Sequence, residues 1–114
     1  MDDLTTLSDE HMALAAQDAR GRSAHLFLQD GPLRQSVIAL VSGAALDEHS
    51  APPAASLHVL RGYVRVTSAS GHQEVAAGQV QRIPQERHGV TAMEDSVLLL
   101  TTVTGTDTQA AAWE

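Results

Sequence analysis

The chain has 114 residues, the size of one domain with a single hydrophobic core. It carries 14 acidic and 7 basic side chains, a formal net charge of −7, so its average electrostatic field repels a nucleic-acid backbone. One Phe, one Tyr and one Trp are too few for a base-stacking surface. These numbers exclude nucleic acid from the expected partners.

The absence of cysteine removes disulfides, thiolate metal sites and cysteine nucleophiles as alternatives. The first ten residues are acidic and lack the basic and then apolar pattern of a secretion signal. The sequence also has no uninterrupted run of about eighteen apolar residues, the length that crosses a bilayer. We therefore expect a cytoplasmic protein without a membrane partner.

Residues 8–21 predict one short N-terminal helix. Ser8 can cap it, Asp9 and Glu10 fall in its first turn, where the helix dipole favours acidic side chains, and Gly21 can end it. We assign residues 1–22 to a helical extension of the main domain.

The rest of the chain has the pattern of short strands separated by glycine or proline. Val64, Arg65 and Val66 alternate between apolar and charged, as on a strand with one buried face. No second helix intervenes, so a parallel βαβ sheet is disfavoured and a barrel or sandwich is favoured. The barrel is expected to span residues 23–104, and residues 105–114 a C-terminal tail. The predicted strands lie within 23–30, 36–43, 55–62, 63–69, 74–84 and 96–105.

Two segments that begin with glycine carry the most specific signal. Gly43 is followed, after five residues, by His49, and Gly78 is followed in the same way by Pro84, with His88 close behind. A hydrophobic stretch ending at Gly62 lies between them. In this spacing the chain resembles the two motifs of the cupin superfamily over roughly residues 33–103.

The resemblance implies an all-β fold, the cupin-type double-stranded β-helix, with the short N-terminal helix as an addition. It implies a jelly-roll barrel of six to eight antiparallel strands, often a homodimer, with a pocket at one open end. In family members with the full set, three His and one Glu hold a divalent metal. Only His49 and His88 are carried over here, because Ala51 and Ala55 stand at the other two ligand positions and Glu86 replaces a glycine of the second motif.

Two imidazoles fall short of the three or four protein ligands that a stable divalent site uses. Glu86 and His58 are weak third candidates. Glu86 lies in a loop that can turn either way, whereas strand alternation turns His58 outward, and Glu48 is likewise expected to face away from its neighbour His49. One Fe, Mn, Ni or Zn ion remains an alternative, and a pocket with no tightly bound metal is favoured.

Two functions remain open. The first is a binding module, in which a small organic ligand is oriented by His49 and His88 and by Arg82 or Arg87, whose guanidinium groups suit a carboxylate. The second is an enzyme, such as an isomerase or dioxygenase acting on a small oxygen-rich substrate, that uses the metal or the two histidines as an acid/base pair. No catalytic residue is assigned. The expected partners are the small-molecule ligand and a second copy of the chain.

Overall fold

The computed structural model describes residues 1–49, 53–83 and 85–104, without the side chains of residues 48 and 49. The predicted tail at 105–114, Ala51 and Pro84 therefore lie outside the described residues. Within these ranges the chain forms one helix, α1 (Leu4–Gln17), and nine strands. The strands are β1 (Arg22–Asp30), β2 (Leu33–Leu40), β3 (Ala45–His49), β4 (Ala54–Arg61), β5 (Tyr63–Ser68), β6 (Gly71–Ala76), β7 (Val80–Arg82), β8 (His88–Ala92) and β9 (Ser96–Val103).

The strands form two antiparallel sheets. The five-stranded sheet has the order β1-β2-β9-β4-β7, and the four-stranded sheet has the order β3-β8-β5-β6. The chain passes from one sheet to the other at every connection except β1–β2 and β5–β6, so the two sheets enclose a common interior. The predicted all-β jelly-roll fold with an N-terminal helix is confirmed, with nine strands among the described residues rather than six to eight.

Strand alternation divides each sheet into an inner and an outer face. On β2, Ile38 and Leu40 pack in the interior, whereas Val37 and Ala39 belong to a separate outer cluster with Ala15 of α1. The helix thus covers the outer face of the five-stranded sheet at β1 and β2. No helix in the described part of the chain is long and apolar enough to span a membrane.

The predicted helix start at Ser8 is wrong, because α1 begins one turn earlier. Oδ1 of Asp3 accepts hydrogen bonds from the backbone N–H groups of Thr5 and Thr6 at 2.9 and 3.1 Å, the arrangement of an N-cap. Ser8 lies inside the helix and donates its hydroxyl to the Leu4 carbonyl at 2.6 Å. The earlier start lets Leu4 pack against the sheet, and this tertiary contact is invisible to a local capping rule.

The segment 74–84, predicted as one strand, forms parts of two strands in different sheets. β6 ends at Ala76 in the four-stranded sheet, and β7 begins at Val80 in the five-stranded sheet. Gly78 between them has φ +88°, a left-handed conformation that glycine adopts without strain. The chain therefore changes sheet near Gly78, the glycine with which the second motif begins. As a result, β6 is an edge strand of the four-stranded sheet and β7 is an edge strand of the five-stranded sheet.

Candidate functional site

The register of the four-stranded sheet brings three polar residues into one row. The Cα of His88 on β8 pairs with His49 on β3 and, on its other side, with Ser68 on β5. Two residues along, Val90 pairs with Val66, and both belong to the interior cluster. Alternation along β8 and β5 therefore places His88 and Ser68 on the inner face. These two residues and the His49 position, which pairs with His88 beyond a register shift in β3, are called here the polar row.

His88 is almost fully buried, with 3% of its surface exposed. Its Nδ1 lies 3.1 Å from the backbone carbonyl oxygen of Glu86. A carbonyl oxygen only accepts hydrogen bonds, so Nδ1 must carry the proton, and in the neutral ring Nε2 carries the lone pair. This tautomer gives His88 an acceptor nitrogen that can serve as a base, a hydrogen-bond acceptor or a metal ligand.

The carboxylate of Glu86 is held by serine hydroxyls. Ser70 donates to Glu86 Oε1 at 2.6 Å, and the hydroxyls of Ser70 and Ser68 are 3.1 Å apart. A hydrogen bond from Ser70, and to a lesser extent one from Ser68, holds the pKa of Glu86 below its ordinary value, so this carboxyl is ionised at neutral pH. Glu86 is thereby anchored to the β5–β6 turn, next to the end of the polar row.

The donor set for a metal is incomplete among the described side chains. Ala55, at the position where the resemblance places a glutamate, pairs with Thr102 on the inner face and offers only a methyl group. His58 lies between the buried residues Leu57 and Val59 on β4, and therefore points to the outer face. No three His, Asp or Glu side chains in the described ranges are grouped so that they could hold an ion.

The structure does not bring the two predicted arginines to the polar row. Arg82 is exposed and pairs with Ser56, while its neighbour Gln81 pairs with buried Leu57, so Arg82 faces outward. Arg87 is exposed in the segment that immediately precedes β8. Their predicted contact with a ligand stays a prediction.

A cleft of about 210 Å³ opens beside the polar row, at the edge strands β6 and β7. Ser68 belongs to both the row and the cleft, and the cleft's polar side chains are hydroxyls, amides and one imidazole. Sequence reasoning missed these residues, although the alternation of Val64 and Val66 extends to Ser68 and would have placed it inward. The lining residues are Val66, Ser68, Ser70, Gly71, His72, Gln73 and Gln81.

Comparison with known proteins identifies the fold. No protein-family model and no curated protein matches the sequence. Among solved structures, a cupin superfamily protein from Desulfitobacterium hafniense matches with a TM-score of 0.69 and 17% identity, over 81% of this chain and 88% of the other. An RmlC-like cupin from Shewanella frigidimarina matches with a TM-score of 0.68 and 18% identity, over 78% and 81%. The chain has the fold of these small cupin proteins.

A protein from Thermus thermophilus is also similar to this chain, with a TM-score of 0.73 and 19% identity over 92% of this chain and 98% of the other. The similarity therefore extends to nearly the whole length of both chains. Identities of this size establish the fold of the chain and leave its chemistry to be argued from its own residues.

Proposed function

We propose that this cupin domain binds a small organic molecule at the open end of its barrel, against His88 and the His49 position. The direct pairing of these two positions carries the proposal. Directly opposed residues on antiparallel strands have Cβ atoms roughly 4.5–5.5 Å apart on one face of the sheet. A ligand held by the His88 imidazole therefore lies next to the backbone position of His49.

The neighbouring cleft supports a small ligand. Its volume of about 210 Å³ is below the roughly 300–1,000 Å³ of drug-sized sites. Ser68 connects the cleft to the polar row, and Gln73 and Gln81 offer amides that both donate and accept hydrogen bonds. An oxygen-rich molecule of few heavy atoms suits this combination of apolar interior and uncharged polar rim.

A thermal-shift screen of small organic acids and sugars, followed by calorimetry of each hit, tests the proposal. We expect His88→Gln to weaken binding about tenfold or more, because glutamine retains polarity but not the imidazole acceptor, and about 1.4 kcal/mol corresponds to that factor. His25→Gln is the matched control, since His25 is exposed on β1. Equal affinity of wild type and His88→Gln for every hit would contradict the proposal.

An enzyme is the second candidate, favoured by the tautomer of His88. Histidine ligands and bases commonly donate one ring N–H to a backbone carbonyl, as Nδ1 of His88 does to Glu86. Turnover of a hit ligand would separate catalysis from binding. Elemental analysis of protein purified without chelator distinguishes the metal-dependent version: near-stoichiometric Fe, Mn, Ni or Zn that is lost in His49→Ala supports it, and less than about a tenth of an equivalent after incubation with these ions rejects it.

We also propose that the cupin domain forms a homodimer through the part of the five-stranded sheet that α1 leaves uncovered. Val80 and Val103, at 60% and 43% exposure, are apolar residues on this side. Sedimentation velocity should give a mass near twice 12.1 kDa, and Val80→Asp should shift the population toward monomer by placing a charge in the interface. A wild-type monomer at every concentration would contradict this arrangement.

A further inference from the structure

Ser36 on β2 is a buried hydroxyl that lacks a hydrogen-bond partner in the described part of the chain. Its side chain is 0% exposed, and its Oγ makes no hydrogen bond there. Leaving such a group unsatisfied costs on the order of 1–3 kcal/mol, so buried hydroxyls normally have partners. A hydroxyl left in this state is a candidate for contact with a ligand.

The strand pairings place Ser36 on the inner face of the barrel. It pairs with Leu100 of β9, which belongs to the interior cluster, as does Ile38, two residues further along β2. The register between β2 and β9 has no irregularity, so the alternation holds along the whole strand. Ser36 and Arg34 therefore share the inner face.

The height of Ser36 along the barrel, called here its level, can be measured from the corner between β2 and β3. Ser36 lies four residues before the end of β2 at Leu40, and His49 lies four residues after the start of β3 at Ala45. At about 3.3 Å per residue, Ser36 is roughly 13 Å from the corner, and His49 is roughly 10 Å from it, because β3 has one extra residue between Leu46 and His49. Ser36 is therefore within about one residue spacing of the level of the polar row.

The corner between β8 and β9 gives the same level independently. His88 lies four residues before Ala92, and Leu100, the partner of Ser36, lies four residues after Ser96. Facing sheets are about 10 Å apart, so the interior separates the Ser36 backbone from the polar row by about that distance. A small molecule bound to the polar row has Ser36 on the opposite wall.

Arg34 lies two residues further from the corner, about 7 Å closer to the open end of the barrel. It is half-buried, its Nε is buried, and its Cα pairs with Thr102. Among the inner positions of β2, β4, β5, β8 and β9, Arg34 is the one with a permanent charge. A guanidinium presents a planar set of donors that matches a carboxylate, and a serine hydroxyl can donate to the same group.

We propose that Arg34 and Ser36 bind the carboxylate of a small organic acid whose remaining atoms lie against the polar row. This inference rests on the proposed binding function and assigns its ligand class. Arg34 supplies the charge that selects an acid over a neutral analogue, and Ser36 supplies a hydrogen bond that has no other use in the described structure. Both residues lie on the sheet opposite His88, so they fix the orientation of the ligand across the barrel.

Calorimetric titration with malonate, succinate, glutarate and benzoate, each beside its methyl ester, tests the assignment. We expect at least one acid to bind and its ester to bind tenfold or more weakly. Arg34→Gln should weaken the acid about tenfold or more, and Arg34→Lys, which keeps the charge but loses the planar donor pair, should lie between Arg34→Gln and wild type. Arg20→Gln, at an exposed position after α1, is the matched control.

Ser36→Ala gives a readout that does not depend on knowing the ligand. Removing an unsatisfied buried hydroxyl should leave the unfolding midpoint of the free protein unchanged or higher, while acid affinity falls about threefold to tenfold. A lowered midpoint in the free protein, with unchanged acid affinity, would overturn the role of Ser36.

The outcomes separate this inference from the binding function on which it rests. Neutral ligands that depend on His88 but bind equally well to Arg34→Gln would overturn the acid assignment and leave the pocket intact. If no compound, acidic or neutral, depends on His88, both proposals are overturned.

Discussion

Replacing Gly62 by alanine is expected to lower the free energy of unfolding by about 2–5 kcal/mol. Gly62 joins β4 to β5 with φ +87°, a conformation that strains other residues. A Cβ there would overlap the carbonyl oxygen of Asp95 and Oγ of Ser96, and would lie 2.8 Å from the Ser96 Cα. The overlap adds to the conformational cost because backbone atoms cannot rotate away.

The corner around Gly62 has little freedom to relax. Ser96 Oγ accepts a hydrogen bond from the backbone N–H of Tyr63 at 3.0 Å and donates to the Glu94 carbonyl at 2.7 Å. An alanine methyl group would displace the hydroxyl that joins these two segments. Chemical denaturation monitored by circular dichroism measures the loss.

Gly43→Ala is the matched control for Gly62→Ala. Gly43 has nearly the same φ, +86°, but a Cβ there would meet no atom within 4 Å. Its substitution should therefore cost only the conformational term, about 1 kcal/mol. Equal losses at the two positions would show that close packing at Gly62 does not contribute.

Leu98→Ala is expected to destabilise the domain by about 2–5 kcal/mol through loss of buried area and creation of a cavity. Leu98 is 0% exposed, on the central strand of the five-stranded sheet, and pairs with Ile38 on one side and Val59 on the other. All three belong to the interior cluster. Urea denaturation measures the change.

Leu33→Ala provides the same chemical change at the margin of the sheet. Leu33 is 38% exposed at the start of β2 and lies outside both core clusters. Its loss should cost less than about 1 kcal/mol. A Leu33→Ala effect as large as that of Leu98→Ala would contradict the position of the core between the two sheets.

The sequence contained enough information for the fold because the relevant signals are local. The alternation of Val64, Arg65 and Val66 predicts one buried face, and the structure confirms it with 0% and 5% exposure of the two valines. Gly43 and Gly62, each at the end of a predicted strand, both have positive φ at changes of sheet. Such patterns need no knowledge of which strands pair.

The candidate site was only partly predictable, because it depends on pairing between distant segments. The motif spacing selected His49 and His88, whose Cα atoms pair across two strands. Ser68 enters the same row only through the β5–β8 register, and Ser36 reaches the opposite wall only through the two corners. Composition and spacing carry no signal for these juxtapositions, nor for the inner position of Arg34.

The polar row has a consequence for how this domain can vary. Because side chains alternate along β8, moving that strand by one position between β3 and β5 would turn His88, Val90 and Ala92 to the solvent side. An insertion or deletion of one residue within β8 would have the same effect, whereas one in the 85–87 segment changes only the length of the connection and leaves the pairing of β8 intact. Natural length differences near His88 should therefore fall before β8 begins.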